Sequence, residues 1–88
     1  MKIVVFSREG RDYSRGVTEF VEMFKRKYPA QDITIKDPDT VESTTILTAL
    51  GVNQYPAVVV MTSDNRATQL WQGEPLPLSD EVAAFALG

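Results

Sequence analysis

The chain has 88 residues, of which 43% are hydrophobic and 24% are charged, and its formal net charge is −3. This composition is typical of a folded globular protein, and the acidic balance argues against a nucleic-acid partner, which rewards a basic surface. The chain contains neither cysteine nor histidine, which excludes a disulfide, a thiolate nucleophile, thiolate or imidazole metal ligands and a Ser-His-Asp triad.

The first half of the chain predicts a strand, a helix and a second strand. Residues 2–7 predict a strand, and the continuous apolar run at residues 3–6 within it indicates burial on both faces. Asp12 is the predicted N-cap of the first helix, and Pro29 ends it. Residues 33–35 alternate and predict a short strand. The apolar stripe of the helix comprises Val17, Phe20, Val21, Phe24 and Tyr28.

A second helix and another buried strand follow. Asp39 and Glu42 are spaced as in a capping box, and Gly51 predicts the C-terminal cap. The apolar residues of this helix are Val41, Ile46, Leu47 and Leu50. Residues 57–61 form a second continuous apolar strand.

The last part of the chain predicts a hairpin and a third helix. A turn at residues 63–65 joins the apolar strand to a more polar one at residues 68–72. The last helix begins at Ser79 with Val82, Phe85 and Ala86 facing inward, and we expect Gly88 to end the chain.

The element order β-α-β-α-β-β-α predicts an α/β fold with a four-stranded mixed sheet and helices on both faces. We expect residues 1–88 to form a single domain, with the two apolar strands at the centre of the sheet. No apolar run approaches the length of a membrane span, and residues 1–6 are too short for a signal peptide. We therefore expect a cytoplasmic protein without a membrane partner.

This order, with two local segments, resembles the thioredoxin/glutaredoxin family. Residues 4–14 are similar to the family segment that ends in Cys-Pro-Tyr-Cys, but here those four places hold Arg11, Asp12, Tyr13 and Ser14. Residues 51–60 are similar to the segment that leads into the third strand, where the family has a cis proline at the place of Pro56. The resemblance implies a glutaredoxin-sized thioredoxin-like fold.

The resemblance also implies thiol–disulfide exchange, which requires a thiolate that this chain does not have. We therefore expect a redox-inactive binding module with no catalytic residue, no metal and no cofactor other than a bound glutathione. In the family, the start of the first helix and the backbone beside the cis proline hold a peptide-like substrate. The resemblance implies a binding surface for a peptide, a protein partner or glutathione that comprises Arg8, Arg11, Asp12, Tyr13, Ser14, Arg15, Tyr55 and Pro56.

The three arginines of this set surround a helix N-terminus, where cations are unfavourable unless an anion lies among them. The alternative interpretation is that Glu9 and Asp12 neutralise them and the long side chains reach solvent. We expect Tyr13 and Tyr55 to lie close together, either to contact a peptide or to cover the cleft that the redox site would occupy.

Two other functions are consistent with the same residues. One is a glutathione-dependent, transferase-like enzyme that uses Ser14 or Tyr13 to orient the thiol. The other is a structural subunit that forms a homodimer through an outer strand or the apolar surface near Trp71.

Two charged groups favour structural roles over binding. Residues 25–27 are basic, and we expect them at a helix C-terminus, where cations are favourable. Asp37, Asp39 and Glu42 could bind a hard cation, but turn and cap roles explain them.

Overall fold

The computed structural model describes residues 1–87, so Gly88 lies outside the described residues. Four strands and three helices follow one another within this range in the predicted order. None of these helices is long and apolar enough to cross a membrane. The elements are β1 (Lys2–Phe6), α1 (Ser14–Lys27), β2 (Asp32–Lys36), α2 (Val41–Leu50), β3 (Ala57–Met61), β4 (Ala67–Gln72) and α3 (Ser79–Leu87).

The strands form one mixed sheet in the order β2-β1-β3-β4. β1 is parallel to β2 and antiparallel to β3, and β3 is antiparallel to β4. The two apolar strands are central because each needs cover on both faces, and no residue of 3–6 or 57–61 is more than 3% exposed. The predicted α/β class and mixed sheet are confirmed.

Helices cover both faces of the sheet, as predicted. Neighbouring residues of a strand point to opposite faces, so β1 and β3 each supply two core clusters. Ile3, Val5, Val58 and Val60 pack with residues of α1 and α3. Val4, Phe6, Val59 and Met61 pack with residues of α2, including Leu47.

Helix α1 begins one residue later than predicted. The predicted residues Val17, Phe20, Val21 and Phe24 are all buried. The N-cap is Tyr13, however, and it makes no side-chain capping hydrogen bond. The prediction of Asp12 as N-cap is wrong because the helix begins at Ser14, whose hydroxyl accepts the Arg11 N–H of the preceding loop.

The C-terminal end of α1 is tied to α3. The basic residues 25–27 occupy the last turn of α1, as predicted, and Lys27 Nζ lies 2.6 Å from the Asp80 carboxylate. Tyr28, which the stripe placed in the helix, follows its last residue and donates its hydroxyl hydrogen to Asp80. The same carboxylate therefore joins the end of one helix to the start of another.

Helix α2 also starts one residue later than predicted. Thr40 is its N-cap, and its hydroxyl accepts a hydrogen bond from the Ser43 N–H at 3.1 Å. The prediction of Asp39 as the cap is wrong, because its carboxylate binds Arg8, 31 residues away in sequence. Gly51 ends the helix with φ 72°, as predicted, and Val41 is 87% exposed.

The hairpin and last helix follow the predicted positions closely. β4 begins at Ala67, one residue earlier than predicted, and Asn65 takes φ 65° in the turn. Val82 is buried on α3, whereas Phe85 is 44% exposed. The Phe85 ring packs edge-on against Trp71, with ring centroids 5.6 Å apart. Trp71 therefore packs against a helix of its own chain.

Candidate functional site

Arg8 connects three loops at one end of the sheet. Its Nε and Nη2 donate to the Asp39 carboxylate at 3.0 and 2.9 Å, a bidentate arrangement that suits the planar guanidinium. Its Cζ also lies 4.6 Å from the centroid of the Tyr55 ring, within the range of a cation–π interaction. The loops that follow β1, β2 and α2 therefore meet at one side chain.

This ion pair shifts the pKa values of its two members in opposite directions. The hydrogen bond from Arg8 lowers the pKa of the Asp39 carboxyl below its ordinary value. The hydrogen bond to Asp39 raises the pKa of the Arg8 guanidinium. The side chains are 33% and 62% exposed, so solvent screens the pair and its main effect is to position Arg8.

Ser14 closes the loop that follows β1. Its Oγ accepts a hydrogen bond from the Arg11 N–H at 3.0 Å and donates one to the Arg8 carbonyl at 2.7 Å. The Ser14 N–H in turn donates to the Arg11 carbonyl at 3.1 Å. The hydroxyl is thus engaged by the protein's own backbone, which disfavours its use to orient a thiol.

The three arginines have different surroundings. Arg15 lies 3.3 Å from Glu19 on the exposed side of α1, and Arg8 binds Asp39. Arg11 makes no ion pair within residues 1–87. Within residues 1–87 neither Glu9 nor Asp12 forms an ion pair with these arginines, and Arg11 and Arg15 are exposed to solvent. Arg11 also adds to the lowering of the Asp39 pKa, although it forms no direct ion pair with that carboxylate.

The backbone around Pro56 is organised by the end of β4. The Gln72 side-chain oxygen accepts hydrogen bonds from the Asn53 and Gln54 N–H groups at 3.1 and 3.3 Å. The Pro56 carbonyl accepts one from Gly73 at 2.9 Å, and the Tyr55–Pro56 peptide bond is cis, as is Glu74–Pro75.

The main chain of Tyr55 has no such partner. Within residues 1–87, no hydrogen bond involves the N–H or the carbonyl of Tyr55. The backbone on either side of it is fixed by Gln72 and Gly73. Tyr55 therefore presents a donor and an acceptor beside the ring that faces Arg8.

The two tyrosines of the predicted site pack on different faces of the sheet. Tyr13 packs against the cluster below α1 and α3, and Tyr55 packs against the cluster below α2. Both side chains lie near enough to Arg8 to contribute to its raised pKa. The expected proximity of the two rings stays a prediction.

A cleft of about 480 Å³ opens beside this group and carries charges of both signs. Two arginines and three carboxylates line the cleft, so it has no excess of positive charge. A ligand that carries several negative charges would be repelled. Its lining residues are Ser7, Arg8, Glu9, Arg11, Ile35, Asp37 and Asp39.

The acidic residues that were weighed as a cation site take separate partners. The Asp37 carboxylate accepts the Asp39 N–H at 2.8 Å, while Asp39 binds Arg8. Glu42 lies 3.6 Å from Lys36. No group of three or more potential metal ligands is assembled within residues 1–87.

Sequence reasoning missed two residues that organise the site. Asp39 was assigned to a helix cap, and Gln72 was read only as the end of a strand. Both act on partners 18 or more residues away, Arg8 in one case and Asn53 and Gln54 in the other. No local periodicity carries a signal for such a pairing.

The strand order, the helices on both faces and the loop at Pro56 define a thioredoxin-like fold. The chain is similar in structure to thioredoxin O2 from Arabidopsis thaliana in its oxidised state, with a TM-score of 0.67 and 13% sequence identity. The similarity covers 94% of this chain and 69% of that chain. No family model and no curated protein matches the sequence. The fold and the lack of cysteine are together compatible with a redox-inactive domain.

Proposed function

We propose that this chain is a single redox-inactive thioredoxin-like domain that binds an extended peptide or a peptide-like molecule such as glutathione. The ligand pairs with the main chain of Tyr55, and its carboxylate faces Arg11. The observation that carries the proposal is the unpartnered backbone of Tyr55 between two segments that are held in place.

The main chain of Tyr55 can pair directly with the main chain of a ligand. A ligand residue in an extended conformation can exchange both an N–H and a carbonyl hydrogen bond with Tyr55, as in an antiparallel strand pair. Gln72 and Gly73 already hold the neighbouring backbone, and Arg8 lies against the Tyr55 ring. Binding therefore orders few additional groups, which supports affinity for a short ligand.

Charge around the site favours a ligand with a carboxylate at one end over a polyanion. Arg11 has no ion pair within residues 1–87, and the first turn of α1 contains no acidic residue. A carboxylate there would meet a cation and the positive end of the helix dipole. Glu9, Asp37 and Asp39 line the neighbouring cleft and repel further negative charge.

The proposal can be tested by NMR titration of the ¹⁵N-labelled protein. The probes are glutathione and a pair of pentapeptides that differ by a single Glu or Gln. We expect saturable amide shifts in residues 8–15 and 53–57, with the Glu peptide bound more tightly than its Gln counterpart.

A charge reversal at Arg11 has a matched control at the other end of α1. Arg11→Glu should weaken binding of the Glu peptide about tenfold or more, because it places like charges together. Arg26→Glu makes the same charge change at an exposed position in the last turn of α1 and should alter the affinity by about twofold or less. Absence of shifts in residues 53–57 at the highest ligand concentration would refute the proposal.

A further inference from the structure

Strand β2 has an open edge. It pairs with β1 on one side, and no strand within residues 1–87 lies on its other side. The Lys36 carbonyl accepts the Ser7 N–H at 3.1 Å, so the backbone groups of Lys36 point to β1. Because these groups alternate sides along a strand, those of Ile33 and Ile35 point to the open edge.

The opposite edge of the sheet, at β4, is protected. Its pairing with β3 shifts register at Val60/Met61. The Leu70 N–H is taken by the side-chain oxygen of Gln69 at 2.9 Å, so it is not free to donate to another strand. Bulges are among the means by which edge strands avoid pairing. Any homodimer built by strand pairing should therefore use β2 and not the strand that carries Trp71.

The sequence of β2, Asp-Ile-Thr-Ile-Lys, is complementary to itself when reversed. If two copies pair antiparallel with Thr34 on the twofold axis, Asp32 of each copy lies opposite Lys36 of the other. Ile33 then lies opposite Ile35 of the second copy. Opposite charges and β-branched residues facing each other across a strand pair are both stabilising.

The hydrogen-bonding geometry selects the same register. Ile33 and Ile35 carry the outward backbone groups, so each Ile33–Ile35 pair exchanges two hydrogen bonds across the axis. Thr34 and the charged residues then occupy the positions without hydrogen bonds, where opposing side chains are closest. A shift by two residues keeps this alternation but separates Asp32 from Lys36 and shortens the pairing.

We propose that two copies of this chain form a symmetric dimer through antiparallel pairing of β2, which joins their sheets into one. Ile35 is 45% exposed in the single chain, and the dimer places Ile33 of the second copy beside it. Lys36 is free to change partner, because its contact with Glu42 is 3.6 Å long and both side chains are exposed. The pairing of a five-residue strand buries less surface than most stable interfaces, so the dimer is half formed at roughly 0.1–1 mM.

Sedimentation equilibrium of the 88-residue chain from about 20 μM to 2 mM tests the dimer. The apparent mass should rise from 9.8 kDa toward twice that value. In a dimer of Asp32→Lys two lysines would face each other at each charged position, and in a dimer of Lys36→Asp two aspartates would do so. Each variant alone should therefore remain monomeric. A mixture of the two restores opposite charges at every position and should dimerise, as should the double variant.

The control is Glu74→Lys, which changes the charge by the same amount in the exposed loop after β4 and should leave dimerisation unchanged. Circular dichroism establishes that each variant is folded. A folding defect could keep a single variant monomeric, but it could not make the mixture of the two variants dimerise. A monomeric wild-type protein at the highest concentration would overturn the proposal. So would dimerisation of both single variants, or a mixture that stays monomeric.

Discussion

At the scale of single residues, the structure assigns the charged groups to partners that differ from those expected from sequence. Arg8 binds Asp39 and stacks on Tyr55, and Ser14 closes its own loop. The Ser14 hydroxyl therefore has a structural role in its loop. Arg11 keeps its charge available, which makes it the residue on which the proposed ligand selectivity depends.

The Asp39 carboxylate should make stability depend on acid pH. Its pKa is lowered in the folded state, first by the hydrogen bond from Arg8. A lowered folded pKa gives stability that is present above the unfolded value, near 3.9, and is lost as the pH falls through the folded value. Asp39→Asn should therefore cost stability at pH 7, and the difference from wild type should shrink toward pH 3.

Urea unfolding at a series of pH values measures this difference. The control is Arg8→Gln, which removes the donor of the same hydrogen bond, so its difference from wild type should also shrink toward pH 3. A pH-independent effect of Asp39→Asn would contradict the assigned role of the ion pair.

At the scale of elements, periodicity predicts most of the fold. The continuous apolar runs identify β1 and β3, because a strand covered on both faces has no polar side, and the stripe from Val17 identifies α1. Helix starts are predicted less well. Asp12 and Asp39 have the right chemistry for caps, but the actual caps, Tyr13 and Thr40, are set by what the loops contact.

The corrected cap of α2 leads to a stability prediction. Thr40 accepts the Ser43 N–H at 3.1 Å, so Thr40→Ala leaves that donor without its partner. We expect a loss of about 1 kcal/mol in the free energy of unfolding, measured by urea denaturation. Thr45→Ala is the control, because its hydroxyl bonds back to the Val41 carbonyl inside the helix and its removal should cost little. Equal losses for the two variants would argue against the cap.

At the scale of the whole molecule, the sequence predicts the fold better than the site. Strand order and layer arrangement follow from patterns repeated over many residues, such as the two buried strands. The site depends on single contacts between distant loops, such as Arg8 with Asp39. Residue patterns also do not say which core cluster a loop side chain packs against, and Tyr13 and Tyr55 pack against different ones.

If sulfur is what separates this chain from a working redox domain, then restoring it should restore the chemistry. The Ser14 N–H donates to the Arg11 carbonyl at 3.1 Å, which is a turn that brings the two Cα atoms within about 7 Å. Disulfides need Cα separations of about 4.4–6.8 Å. The double variant Arg11→Cys, Ser14→Cys should therefore form an intramolecular disulfide, seen as a mass loss of about 2 Da on oxidation.

The thiols of this variant would lie at the start of α1, where the positive end of the helix dipole lowers a thiol pKa. We accordingly expect the double variant to reduce insulin disulfides in the presence of dithiothreitol at least tenfold faster than the dithiothreitol background. The wild type should match that background, because it has no thiolate. Each single-cysteine variant is the control, because it has no second thiol to attack the mixed disulfide with insulin and release the reduced product. A folded double variant that stays inactive would show that the surrounding loops, and not the lack of cysteine alone, prevent thiol–disulfide exchange.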